Sequence, residues 1–301
     1  MDERSVVKNQ TKPAVAAGLA GNTIWGMGYY FMSLAMRFSS PAVMLFWRFL
    51  LAFIILTVCK IIRGIKIDFR GKNIKRLLIF VAIEPVCFFL ESYSVVYTNA
   101  TFSGMVMAVA PLAAILFAAI FLKEYPTGLQ MIFSILPIAG VIMITVAGKS
   151  LGVITPLGLA CCIGEVMASG IYKTANRGAS TEFSAFERTY FLITACAITY
   201  AVYAAIETGL DFDLLIAPVL NPGFVLPVVL MALCNSIIAN YMVNYAATYL
   251  SVTKISVFGA LSTVVSTFCG IILLNEPFSA MLIIGAVLII IGIREVNAHG
   301  N

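Results

Sequence analysis

The chain has 301 residues, of which 61% are hydrophobic and 11% charged, with a mean hydropathy of +1.01 and a net charge of +5. Soluble domains carry about 25% charged residues, and no water-soluble core absorbs this much apolar surface. The composition instead fits about ten bilayer-spanning helices of roughly 20 residues with short connections, which leaves no room for a sizeable soluble domain.

The first 13 residues are polar and run into an apolar span at 14–36 without a small-residue cleavage site, so this first helix is expected to stay in the protein. Further spans are expected at 41–62, 75–97, 101–122, 127–147, 153–173, 183–206, 223–248, 252–273 and 279–296. The polar stretch Lys60 to Arg76 also holds Arg63, Lys66, Arg70, Lys72 and Lys75, which marks it as cytoplasmic. With both termini inside, Arg4, Lys8, Lys12, Lys123, Lys173, Arg177, Lys254 and Arg294 fall on the same side, and only Arg37 and Lys149 fall in outer loops. These juxtamembrane clusters read as topology signals of a multi-pass plasma (inner) membrane protein. They lack the spacing of a nucleic-acid-binding patch.

The sequence resembles itself. A shift of 140 residues superposes Gly18-Leu19-Ala20 on Gly158-Leu159-Ala160, Arg37 on Arg177, Ser40 on Ser180, Phe46 on Phe186 and Arg48 on Arg188. A shift of 152 superposes Tyr93 on Tyr245, Tyr97 on Tyr249, Thr101 on Thr253, Leu122 on Leu274, Glu124 on Glu276 and Gly140 on Gly292. Two repeats, 1–149 and 150–301, each of five spans, must enter the membrane from opposite sides because five is odd. The expected fold is therefore an all-α membrane protein of ten transmembrane helices in two inverted five-helix repeats, an arrangement used for alternating access around a midplane site.

The motifs are similar to those of a known group. Asn22-Thr23-Ile24-Trp25-Gly26 in the first span, Phe46-Trp47-Arg48 in the second, Phe121-Leu122-Lys123-Glu124 after the fourth and Leu273-Leu274-Asn275-Glu276-Pro277 after the ninth resemble the EamA-type transporters of the drug/metabolite transporter superfamily. The resemblance covers essentially the whole chain. It implies a ten-helix fold, a central cavity lined mainly by spans one, three, four, six, eight and nine, and secondary transport of amino acids, other metabolites or drugs. Spans five and ten would be peripheral supports. The second half departs from the pattern, since Glu165 stands at the counterpart of Trp25.

An ionised carboxylate in hydrocarbon costs on the order of 3 kcal/mol or more, so an intramembrane Glu is a functional candidate. Glu165 falls near the centre of the sixth span; Glu84 and Glu91 flank the centre of the third, seven residues apart on one face with Phe88 between them. The equivalent face of the eighth span carries Ser236 and Asn240, followed by Asn244, so an acidic face meets an amide face. These residues are candidates for solute binding or proton coupling, with a protonated, interhelically hydrogen-bonded carboxyl as the structural alternative. Trp25, Tyr29, Tyr93 and Tyr241 could line an amphipathic cavity or simply pack helices. Arg48 and Arg188, at equivalent points of the repeat, read as gating residues or as structural caps of helix ends. Glu124 and Glu276 read as hairpin or helix-start residues, and Lys173 as an anchor at the end of its helix, about 12 Å along the axis from Glu165.

Other chemistries find no residues. The seven cysteines form no CxxC pair, His299 is the sole histidine, and no GxxxxGK[ST] motif is present, so metal, cofactor, triad and ATP-driven readings lack support. The expected function is secondary active export or exchange of a small polar or amphipathic metabolite such as an amino acid or drug-like cation, with protons as the candidate coupling ion. The alternatives are a nucleotide-sugar or organophosphate exchanger, or a non-transporting structural membrane protein. Expected partners are a small-molecule solute and membrane lipid, in a monomer or a homodimer.

Overall fold

The computed structural model describes residues 3–98, 106–107, 109–147, 155–274 and 280–299. Among these, all regular structure is helical: α1 Glu3–Ala35, α2 Pro41–Ile62, α3 Ile74–Tyr97, α4 Ala110–Phe121, α5 Gly128–Phe133, α6 Ile135–Ala147, α7 Pro156–Ala179 and α8 Ala185–Thr208, then α9 Phe212–Ile216 with a following 3₁₀ turn, α10 Pro222–Leu230, a π-helical stretch Met231–Ala239, α11 Asn240–Tyr249, α12 Val252–Phe258, α13 Ala260–Leu274 and α14 Ala280–Ala298.

Helix starts are written locally. Ser40 accepts from the Val43 amide ahead of Pro41, Asn73 caps α3, Thr155 caps α7 ahead of Pro156, and Asn221 caps α10 ahead of Pro222. Reciprocal capping boxes open α5 (Thr127 with Gln130) and α8 (Ser184 with Glu187). Gly209, at φ +63°, ends α8 in the left-handed conformation that glycine adopts without strain.

Among the described residues, four helical stretches are long and apolar enough to cross a bilayer: Pro41–Ile62, Ile74–Ser94, Ala185–Thr208 and Pro222–Tyr249. Ala110–Phe121, Gly128–Gly140 and Val252–Ser262 are shorter apolar helices. α1 and α7 are long but more polar, for a reason visible in the packing: α7 lies against α3 and α4, and α1 against α11 and α13. A helix surrounded by other helices is shielded from lipid and tolerates Glu, Lys and Asn. The expected sixth span ended at 173, whereas α7 continues to Ala179.

The most extensive helix contacts all join residues 3–147 to residues 156–298, and they pair off reciprocally. α1 packs on α11 and α13 as α7 packs on α3 and α4; α2 packs on α8, and α6 on α14. The last pair shows the reciprocity atom by atom. A Cβ on Gly140 would meet Ile289 Cγ1 at 2.7 Å, and a Cβ on Gly292 would meet Pro137 Cγ at 2.6 Å. The same 152-residue shift relates Gly140 to Gly292 and Pro137 to Ile289. Small residues here let the two backbones approach closely.

Candidate functional site

α3 packs on α7 and α8 in the bundle interior, and α2 reaches its acidic face through Phe49 and Arg48, both against Phe88. Glu84 is 5% exposed and Glu165 4% exposed. Ser94 Oγ donates to Glu165 Oε2 at 3.1 Å, joining α3 to α7. Glu84 makes no hydrogen bond among the described residues and is held by charge: Arg48 and Lys173 attract it and Glu91 repels it. Glu91 is half-buried and also acts on Arg48. All three carboxylates bear on Cys87, which places them around one region of α3 and α7.

Arg48 spans this region. Its guanidinium lies 4.9 Å from the centroid of Phe88 and 5.1 Å from that of Phe49, and its Nε donates to Ser236 Oγ at 2.8 Å. Cation–π contact and a charge-assisted hydrogen bond together compensate a guanidinium that has left water. The arginine thus bridges the acidic face of α3 and the equivalent polar face of the second half.

The π-helical stretch explains the neighbouring contacts. Widening a helix to i→i+5 bonding leaves carbonyls exposed along its wall. Trp25 Nε1 donates to Asn235 O at 3.3 Å, and Asn240 Nδ2 donates to Ser236 O at 3.1 Å and Asn235 O at 3.4 Å. Asn235 Nδ2 in turn donates to Ile24 O at 2.9 Å, so α1 is locked onto the bulge. Asn235, Asn240 and Asn244 each keep a buried Oδ1 without a partner among the described residues, an unusual density of unmet acceptors for a packed interior.

Not every candidate joins this cluster. Arg188 and Asn244 lie towards the end of the bundle that carries the basic loop. Arg188 is fully buried and donates to Phe183 O (3.2 Å), Asn176 O (3.3 Å), Asn176 Oδ1, Asn244 O (2.5 Å) and Thr248 Oγ1 (2.6 Å). Asn244 Nδ2 donates to Thr189 Oγ1 at 2.8 Å. Tyr93 is hydroxyl-bonded to Tyr203 and packs with Phe89 and Tyr97, apart from the carboxylates. The side chain of Tyr29, and Glu276 entirely, lie outside the described residues.

Lys173 does not anchor a helix end as its sequence position suggested. Because α7 runs six residues further, Lys173 lines an interior void of about 10 Å³ with Asn22, Trp25, Tyr172, Asn176, Val243 and Ile255, room for a single water. Tyr172, 4% exposed, has a hydroxyl without a partner among the described residues. Sequence reasoning put Lys173 at a helix end and missed Tyr172 and Asn235; the polar recurrence Glu165, Tyr172, Asn176 along α7 was the available signal.

The end of the bundle bearing the basic loop is tied by ion pairs. Lys72 pairs with Glu187 at 2.8 Å, Arg76 with Glu182 at 3.0 Å, and Arg177 with Glu124 at 3.0 Å. Arg177 also donates to the carbonyls of Ala247 and Thr248. Glu124 accepts from the Val252 amide at 3.1 Å, supplying the cap that Ser251 does not.

The profile of the EamA-like transporter family matches residues 12–146 and 156–297. The chain is 29% identical over 298 residues to the uncharacterized transporter YcxC of Bacillus subtilis, covering 98% of this chain and 96% of that one. It is 23% identical over 272 residues to an uncharacterized transporter of Archaeoglobus fulgidus, covering 90% and 94%. A protein of known crystal structure superposes with a TM-score of 0.75 at 17% identity, over 94% of this chain and 95% of the other, a likeness of fold.

Proposed function

Because the chain belongs to the EamA-like transporter family of multi-pass membrane proteins, we propose that it is a secondary active transporter exchanging a small polar or amphipathic solute for a proton. Two inverted five-helix repeats, 1–149 and 150–301, would rock around the interior cluster in the plasma membrane, with both termini and the Lys60–Arg76 loop cytoplasmic.

The observation that carries this reading is the charge balance of the interior. Arg48 and Lys173 both attract the buried Glu84, Glu91 bears on Glu84 and Arg48, and Glu165, 4% exposed, lies near the same stretch of α3. A low-dielectric site favours neutrality, so a carboxyl group there draws in a positive charge. A proton or the ammonium group of a solute can each fill that role, and neither can be held there with the other, which is the logic of exchange. A doubly anionic phosphate ester suits the cluster poorly, because Glu84 already draws on both cations.

The test starts from a melting-shift screen across amino acids, polyamines, purines and drug-like cations on purified protein. Uptake of the stabilising solute is then followed in proteoliposomes under an imposed pH gradient. Glu91→Gln and Glu165→Gln are expected to abolish gradient-driven flux; wild-type flux in both variants removes the coupling role. Lys72→Cys is expected to react with an impermeant maleimide from the cytoplasmic face, and labelling from outside alone reverses the orientation.

A further inference from the structure

The tyrosines at the end of α11 have a counterpart on α3. Tyr241, Tyr245 and Tyr249 follow each other at four-residue intervals, one face of a helix, and the 152-residue shift places them on Phe89, Tyr93 and Tyr97. Each repeat therefore carries a three-ring ladder, but the two are not in the same condition. On α3 the ladder is filled: Tyr203 of α8 stands 5.6 Å from Phe89 and shares a hydroxyl hydrogen bond with Tyr93. On α11 the ladder faces an open cavity of about 360 Å³, lined on the other side by Phe183, Ser184 and Phe186 at the entry to α8.

The cavity offers rings and hydroxyls without an unbalanced charge. Glu182 at its rim is neutralised by Arg76 at 3.0 Å. Tyr245 donates to Gln10 Oε1 at 2.5 Å and meets Tyr249 edge-on at 5.1 Å between centroids. The hydroxyls of Tyr241 and Tyr249 make no hydrogen bond among the described residues. The volume lies in the range of small-molecule pockets, and ring faces with adjacent free hydroxyls select flat aromatic groups that carry a polar substituent.

We propose that this cavity is a binding subsite for a small, uncharged planar aromatic group, in which the ligand's ring takes the place that Tyr203 occupies in the other repeat. The subsite goes beyond the transport reading and stands apart from it, because occupancy is measured as binding and needs neither flux nor the interior carboxylates.

Benzamide and cyclohexanecarboxamide form a matched pair, equal in size and polar group and differing in aromaticity. Saturation-transfer NMR on the full chain in lipid nanodiscs, with empty nanodiscs subtracted, is expected to show saturable benzamide binding and at least about fivefold weaker cyclohexanecarboxamide binding. Tyr241→Leu/Tyr249→Leu should weaken benzamide about fivefold or more, while Tyr241→Phe/Tyr249→Phe keeps the rings and most of the affinity. Phe89→Leu, at the filled ladder, should leave binding unchanged. Absence of benzamide binding, equal binding of the two amides as an acyl-chain site would give, or an unaffected double-leucine variant overturns the proposal. Should the double variant not fold, Tyr241→Leu alone, at a ring 44% exposed, must lower benzamide binding about twofold or the proposal fails.

Discussion

Replacing Arg188 by Met tests how much of this fold hangs on one buried cation. The guanidinium is fully enclosed and supplies donors to Phe183, Asn176, Asn244 and Thr248. Hydrogen bonds to a charged group contribute about 1.5–3 kcal/mol each, but contacts made by one side chain do not add. Methionine restores most of the packed volume and strands the acceptors, so the cost is expected at about 3–5 kcal/mol, the range for breaking a buried charged network. At roughly 2–4 °C per kcal/mol for chains of this order, the midpoint for loss of the monodisperse peak in detergent should fall by about 10 °C. Arg188→Lys, which reaches only part of the acceptor set, should fall by about half as much. Arg76→Met provides the comparison: its ion pair with Glu182 involves side chains 49% and 24% exposed, and exposed pairs contribute about 0–1 kcal/mol. If Arg188→Met and Arg76→Met shift the midpoint equally, the donors of Arg188 are not what joins α7 to α11.

The same midpoint measurement checks three other expectations. Gly140→Ala drives a methyl into Gly285 O and should cost about 1–3 kcal/mol as overpacking, whereas Gly128→Ala, with nothing within 4 Å among the described residues, should be neutral. Ser236→Ala removes the acceptor for Arg48 Nε and should cost about 1.5–3 kcal/mol, while Ser236→Thr keeps the hydroxyl and should lose less than half of that. Glu124→Gln, which retains an acceptor for the Val252 amide, should cost under about 1 kcal/mol, and Glu124→Ala about 1 kcal/mol more, because α12 loses its cap.

The helices were legible because their signals are local. Ser40-Pro41, Thr155-Pro156, Asn221-Pro222 and the Thr127/Gln130 and Ser184/Glu187 boxes announce their own starts. The family was legible from motifs whose order recurs across the two halves. The interior arrangement was not, and Lys173 illustrates why: hydropathy falls at the end of a span and equally in a helix shielded from lipid, so the polar last turns of α7 looked like an exit from the membrane. The bond from Arg48 to Ser236 was hidden for a different reason. It crosses 188 positions and depends on a π-helical widening over Met231–Ala239 that no residue in that stretch specifies by type. Ser236 was placed opposite Glu84 by the repeat, but the arginine that reaches it from α2 could be found only in three dimensions.

The reciprocal packing of the halves bears on how such a chain is made. When α1 to α6 leave the ribosome, the surfaces they will finally cover belong to segments not yet synthesised, so each early helix must wait in lipid as a separate unit. The second half, which packs Val243, Leu250, Phe258 and Ile289 into a cluster largely of its own, then arrives as the template on which the first assembles. Severing the chain between residues 147 and 156 and supplying both pieces in one cell should therefore restore a folded molecule, whereas the first piece expressed alone should be cleared by quality-control proteases.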